Sequence, residues 1–216
     1  MEFYSIVAFF QKGGLFMYPI MLVFAVGMAI TVERWLQLRR TQSVNSKMWD
    51  LVHPVLAQGE FDRAREMVNK DKSNMAKMLE MGLARQGAVR RREDIEIAME
   101  ESMMEIIPQL EKRTPYVALL ANIATLLGLL GTIMGLIAAF TAVAAANPAE
   151  KADLLSASIS VAMNTTAFGL MSAIPLLLFH AMLTSTTGQI VDSLEMASVK
   201  ALNSISNFAT RQFDRS

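Results

Sequence analysis

Thr132 in "LLGTIMGL" and Thr166 in "MNTTAFGL" are the residues best placed to do chemistry. Residues 114–149 and 154–191 form two long runs without Asp, Glu, Lys or Arg, and each threonine lies inside one of them. The segment joining the runs, "NPAEKAD", centres near Ala149; Thr132 stands 17 residues before it and Thr166 stands 17 after it. In an antiparallel helical hairpin the two hydroxyls therefore reach the same depth. A hydroxyl can coordinate an ion or relay a hydrogen bond, but it does not take up and release protons near neutral pH. An ion crossing hydrocarbon needs a titratable or coordinating group. If this chain conducts ions, the carboxylate is expected on a partner, and the threonines form one wall of the site.

The surroundings of each threonine follow the same pattern. On a helix advancing 100° per residue, Ala121, Thr125, Gly128, Thr132, Gly135 and Ala139 fall within roughly 80° of arc. Leu126, Leu127, Leu129, Leu130, Ile133, Met134, Leu136, Ile137 and Phe140 cover the rest. On the following helix Ala162, Thr166, Gly169, Ala173, His180, Thr184 and Thr187 share a face, with Thr165 and Ser172 flanking it and Asn164 pointing elsewhere. Two readings are open. Small residues let helix backbones approach, and Thr hydrogen-bonds across helices, so Gly128, Gly135, Ala162, Gly169 and Ala173 form a packing face. The polar members, Thr132, Thr166, Thr165, Thr125 and His180, form a candidate ion-pathway lining. Asn164 is expected to hydrogen-bond between helices, and His180 either lines the ion's exit or bonds between subunits.

Three helices have to carry these faces. The chain has 216 residues, of which 53% are hydrophobic, and 20 basic residues balance 20 acidic ones. Zero net charge gives no electrostatic basis for nucleic-acid binding. A third uncharged run covers residues 13–32. About 20 apolar residues cross a bilayer, so the expected fold is an all-α integral membrane protein with three transmembrane helices. The first run lacks a basic leader and a small-residue cleavage site, so it reads as a retained span. The second and third runs exceed the need: 36 residues rise about 54 Å against about 30 Å of hydrocarbon. Both helices are expected to project into the cytoplasm.

Eighteen of the 20 Lys and Arg lie at 34–113 or beyond residue 199, leaving only Lys12 and Lys151 on the other side. Basic residues near span ends stay inside, which puts the N-terminus and the 147–153 turn outside. The expected order is an outer interfacial amphipathic helix at 1–12, then a first transmembrane helix with cytoplasmic extension at 13–43. A cytoplasmic helical segment at 44–111 follows, broken at Pro54, Gly59 and Gly87. The second transmembrane helix covers 112–146, the periplasmic turn 147–153, the third transmembrane helix 154–187 and a cytoplasmic C-terminal helix 188–216. The last has apolar residues at Ile190, Leu194, Ala197, Ala201, Ile205 and Phe208, the spacing of an amphipathic stem.

"LLGLLGTIMGLIAAF" followed by "ISVAMNTTAFGLMSAIP" resembles the ExbB/TolQ branch of the ExbB/TolQ/MotA inner-membrane motor proteins. The resemblance implies a bacterial inner-membrane location and a homo-oligomer, a pentamer around a central pore. It also implies a dimer of a single-span ExbD/TolR-type partner that supplies a membrane Asp. A TonB- or TolA-type protein is a further partner it implies, with membrane lipids around the ring. Ion flow would drive mechanical work on the cell envelope, such as TonB-dependent uptake or Tol-type maintenance. Thr132 and Thr166 then fall where the family's threonines face the partner's Asp. Two departures stand out. Val161 occupies the place of a Glu usual in proton-driven members, and His180-Ala181 stands where Tyr-Asn is usual. The transported ion is expected to be H⁺, with Na⁺ the alternative because a hydroxyl lining also suits a hard cation.

Other chemistries find no support. The chain has no cysteine, no phosphate-binding Gly-Lys loop, no zinc motif and no nucleophile elbow. No catalytic residue, bound metal or cofactor is expected, and the chain does not read as an enzyme. "RQGAVRRREDIEIAMEES" reads as a solvated helical face, a lipid-facing basic patch or a docking surface. The 17 methionines suit an adaptable apolar interior or subunit interface. A passive membrane scaffold and a partner-independent transporter remain the competing functions.

Overall fold

Gly14 adopts a left-handed conformation (φ 74°), and a helix starts three residues later. The computed structural model describes residues 13–86 and 92–213, with side chains described through Phe208. It contains α1 (Met17–Gln58), α2 (Phe61–Asn69), α3 (Asn74–Arg85), α4 (Arg92–Glu111), α5 (Thr114–Ala145) and α6 (Lys151–Phe213), with no β-strand among the described residues. Three helical segments are long and apolar enough to cross a membrane. The expected 1–12 helix and the break at Gly87 lie outside the described residues.

Two boundaries differ from expectation. α1 does not end near residue 43, nor break at Pro54; it runs 42 residues to Gln58. A proline inside a helix removes one backbone hydrogen bond. Here the carbonyl that loses its donor is that of Asp50, an exposed residue that water can serve. Meanwhile Leu38, Met48, Val52 and Leu56 keep a buried stripe on one side. Gly59 is the actual stop. Its φ is 79°, its N–H donates to the Leu56 carbonyl at 3.1 Å, and the Glu60 N–H donates to the Val55 carbonyl at 3.2 Å. This is the glycine-terminated helix end in which a left-handed residue turns the chain back on the last carbonyls. A Cβ on Gly59 would also stand 2.5 Å from the Phe208 ring. Gly59→Ala is therefore expected to lower stability by about 1–2 kcal/mol for the backbone alone, and more if Phe208 must shift. Thermal unfolding in detergent checks this.

The second difference is at the C-terminal end. The expected third span and C-terminal helix are one 63-residue helix, α6, which continues through Pro175 and Gly188. The predicted stem is present: Ile190, Leu194, Ala197 and Ala201 are all buried on one side.

The chain divides into two compact units. One comprises the described residues through Arg34 together with Arg113–Met182. Its core contains many small side chains, among them Ala121, Ala124, Ala162 and Ala173, with Met17, Ile20, Val117 and Leu176 as bulkier exceptions. Leu126, Leu129, Ile133, Ile137 and Phe140 of α5 are exposed. An interior of small residues under an apolar exterior is what hydrocarbon surroundings permit, since helices there associate by close packing rather than by hiding bulk from water. Gly27 serves the same end in α1, where a Cβ would meet the Leu176 side chain at 2.8 Å. α5 opens on Arg113 in the left-handed region (φ 68°), with Pro115 in its first turn, and the Arg113 guanidinium pairs with Glu33.

The other unit comprises Trp35–Lys112 and Leu183–Ser216. Its core is larger-grained: Leu56, Met75, Met78, Leu79, Leu83, Met99 and Leu194 are essentially inaccessible. The methionine interior is thus real here. Met99 packs where a Cβ on Gly82 would sit, and Ser198 Oγ lies 3.2 Å from its sulfur. α2 buries Ala64 and Val68, and Arg65 reaches from the same helix to the Leu83 carbonyl at 2.5 Å, closing the C-terminal end of α3.

Candidate functional site

The small-residue faces of α5 and α6 meet. A Cβ on Gly128 would stand 3.2 Å from Gly169 Cα, and one on Gly169 would stand 2.8 Å from the Ala124 carbonyl oxygen. Along the same seam a Cβ on Gly135 would lie 2.9 Å from Ala162 Cβ. The backbones approach this closely because no side chain intervenes. Gly128, Gly135, Ala162 and Gly169 all lie at these close approaches, and Ala173 is buried on α6.

The close approach brings the two threonines together. Thr132 Oγ1 and Thr166 Oγ1 are in direct hydrogen-bond contact, and both side chains are half-buried. Thr166 Oγ1 also lies 3.0 Å from the Gly128 carbonyl oxygen. Thr132 Oγ1 lies 3.2 Å from that oxygen and 3.3 Å from the Ala162 carbonyl oxygen. Two hydroxyl protons thus have three carbonyl contacts and one another to choose among. Either threonine can donate to its neighbour while the other donates to a carbonyl, so the pair can reverse direction without moving a heavy atom. Hydroxyl oxygens keep acceptor capacity in both arrangements, which leaves the half-exposed side of the pair able to face a polar group.

The other predicted lining residues are placed differently. Thr165 does not share this surface. It is 2% exposed, and its Oγ1 lies 2.5 Å from the Gly13 carbonyl oxygen and 3.0 Å from that of Val161. One residue along a helix is a turn of about 100°, enough to carry Thr165 from the α5–α6 seam to the start of α1. There its methyl fills the space a Cβ on Gly131 would need, at 2.4 Å. Thr125 is half-buried and donates to the Ala121 carbonyl at 3.2 Å, seven residues (about 10 Å) along α5 from Thr132. His180 is half-buried on α6, about 21 Å from the pair by helical rise. Asn164, expected to bond between helices, has no hydrogen-bond partner among the described residues and is half-buried. Val161 packs against the start of α1, with its Cγ1 3.2 Å from where a Gly14 Cβ would be.

The junction of Gly13, Gly131 and Thr165 escaped the sequence reading. The available signal was the second glycine of "GLLG", three residues from Gly128, which marks a second close approach on a different side of α5.

No curated protein matches the chain. A family model described as the MotA/TolQ/ExbB proton channel family matches residues 70–196, which include α3, α4, α5, most of the long α6 and both threonines. The match spans more than half the chain and contains the seam just described, so this protein is a member of the MotA/TolQ/ExbB proton channel family.

Proposed function

We propose that this chain is the ion-conducting subunit of a motor-type complex, in which Thr132 and Thr166 form one wall of a site completed by a carboxylate on a single-span, ExbD/TolR-type partner. The observation that carries the reading is the contact between the two hydroxyls. They meet on uncharged stretches of the two helices, partly exposed and with no acid of their own nearby in sequence. A hydrogen-bonded pair that can reverse direction suits the relay of a proton to or from such a carboxylate, and its oxygens suit a dehydrated Na⁺ equally. H⁺ is the proposed ion and Na⁺ the alternative, since Val161 offers no acid. In this reading the chain forms a ring, a pentamer, in the bacterial inner membrane, with its N-terminus periplasmic and its C-terminus cytoplasmic. It has no enzymatic activity and no cofactor. The ion gradient is converted to work on the envelope, such as TonB-dependent uptake or Tol-type maintenance, through the partner and a TonB- or TolA-type protein.

A passive scaffold is the second reading, favoured by the carbonyl contacts of both hydroxyls, which serve helix packing without any ion. Reconstitution separates the readings. The chain is co-expressed with a single-span protein carrying a membrane Asp, and ion flux into proteoliposomes is followed in sodium and in potassium buffers. The expected result is flux that requires both chains. Flux from this chain alone would make it a transporter. No flux from a purified, intact complex would leave the scaffold.

A further inference from the structure

We propose that a cavity between α1 and the N-terminus of α3, independent of the threonine site, binds a phosphate group. The cavity holds about 330 Å³ and is lined by Arg40, Thr41, Asn45, Asp71, Lys72 and Asn74, among others, all within the unit that contains Trp35–Lys112. That volume is at the lower end of the range for small-molecule sites.

The first turn of α3 is almost fully capped by side chains. Ser73 Oγ accepts the Ala76 N–H at 3.1 Å, and Asn45 Oδ1 accepts the Met75 N–H at 3.2 Å. The Lys77 N–H reaches the Ser73 carbonyl at 3.0 Å. The orphan donor left at this helix end is the Asn74 N–H. Independently of the helix end, Asn45 presents a second unmet donor. The Met75 N–H can only donate, so it fixes the oxygen of the Asn45 amide, and the other end is the NH₂ group. That NH₂ has no hydrogen-bond partner among the described residues, although Asn45 is only 2% exposed. An amide donor buried without an acceptor costs about 1–3 kcal/mol, and the residue that carries it is one of those lining the cavity.

The charges lining the cavity agree with an anion. Arg40 and Lys72 are exposed, and neither pairs with an acid among the described residues. Asp71 opposes them, but its Oδ1 is engaged by the Ser73 N–H at 2.6 Å. An amide NH₂, a helix N-terminal N–H, a guanidinium and an ammonium are all donors, and the three or four oxygens of a phosphate group can accept from all of them at once. A tetrahedral oxyanion at a helix N-terminus satisfies them. Arg40 is the eighth residue after the uncharged run ends at Val32, about 12 Å of helix. That spacing makes a lipid headgroup phosphate and a free phosphate both sterically reasonable sources.

The test uses the full-length protein purified in detergent. Inorganic phosphate is titrated by calorimetry against sodium chloride of equal ionic strength. In a second arm, nanodiscs of phosphatidylcholine are compared with nanodiscs in which part of the lipid is phosphatidylglycerol, with retained anionic lipid counted by native mass spectrometry. Asn45→Asp keeps the acceptor for the Met75 N–H and replaces the NH₂ donor with a repelling oxygen. Arg40→Gln with Lys72→Gln removes the charge and leaves the amide. Lys70→Gln, outside the cavity, is the control. The expected result is saturable binding of at least one probe, weakened at least tenfold by Asn45→Asp and by the double variant and unchanged by Lys70→Gln. Binding of phosphate in detergent identifies a free anion, and retention of phosphatidylglycerol alone identifies a headgroup. Binding of neither probe, or wild-type affinity in the Arg40/Lys72 double variant, overturns the proposal. The double variant decides the matter if Asn45→Asp fails to fold.

Discussion

Replacing Thr132 and Thr166 together with valine is expected to reduce partner-dependent ion flux at least tenfold while leaving the protein folded and assembled. The two effects separate because of how the hydroxyls are satisfied. Their partners are one another and the carbonyls of Gly128 and Ala162. Removing both hydroxyls at once leaves no orphaned donor, and replacing a bonded pair by apolar groups of similar shape is close to neutral for stability. A shift under about 1 kcal/mol is expected in thermal unfolding. Flux has no such compensation, because valine offers no oxygen to an ion or to a partner's carboxylate. A tenfold loss corresponds to about 1.4 kcal/mol on the barrier. Serine at both positions restores the oxygens and is expected to restore flux. The measurement is flux in proteoliposomes, with size-exclusion chromatography of the complex as the assembly control. Undiminished flux in the double valine protein would remove the threonines from the ion path.

Gly169→Ala is expected to be the most destabilising of the conservative substitutions on the α5–α6 seam. The added methyl would lie 2.8 Å from the Ala124 carbonyl oxygen and 3.0 Å from Gly128 Cα. Both are backbone atoms, so no rotamer change relieves the clash and the helices must separate. Overpacking of this kind costs about 1–3 kcal/mol. Separation at Gly169 also stretches the Thr132–Thr166 contact three residues away, so flux should fall with stability. Gly188 supplies the contrast within the same helix. Nothing lies within 4 Å of its added Cβ, and alanine there gains helix propensity of up to about 1 kcal/mol. Thermal unfolding of the two single variants in detergent gives the comparison. Equal stability of Gly169→Ala and Gly188→Ala would contradict the close approach of the backbones.

Much of this arrangement was legible in the residues. Uncharged runs as long as a bilayer needs, two of them longer, marked the spanning helices. The recurrence of Gly and Ala at three and four residues marked the seam, and equal distances from the turn matched Thr132 to Thr166. The stem from Ile190 to Ile205 followed from apolar spacing alone. These features depend on helical period and on length, which are local properties of the chain.

Other features depend on which surface meets which. Thr165 and Thr166 are adjacent and chemically identical, yet one meets Gly13 and Gly131 while the other meets Thr132. Pro54 reads as a helix end in the sequence, but the stripe of α1 buried both before and after it outweighs one lost hydrogen bond. The unmet amide of Asn45 exists only because Met75, 30 residues away in the chain, occupies its oxygen. Periodicity tells which side of a helix is small, apolar or polar. It does not tell which neighbour covers that side, because the covering contact is made between segments far apart in the chain and is decided by packing.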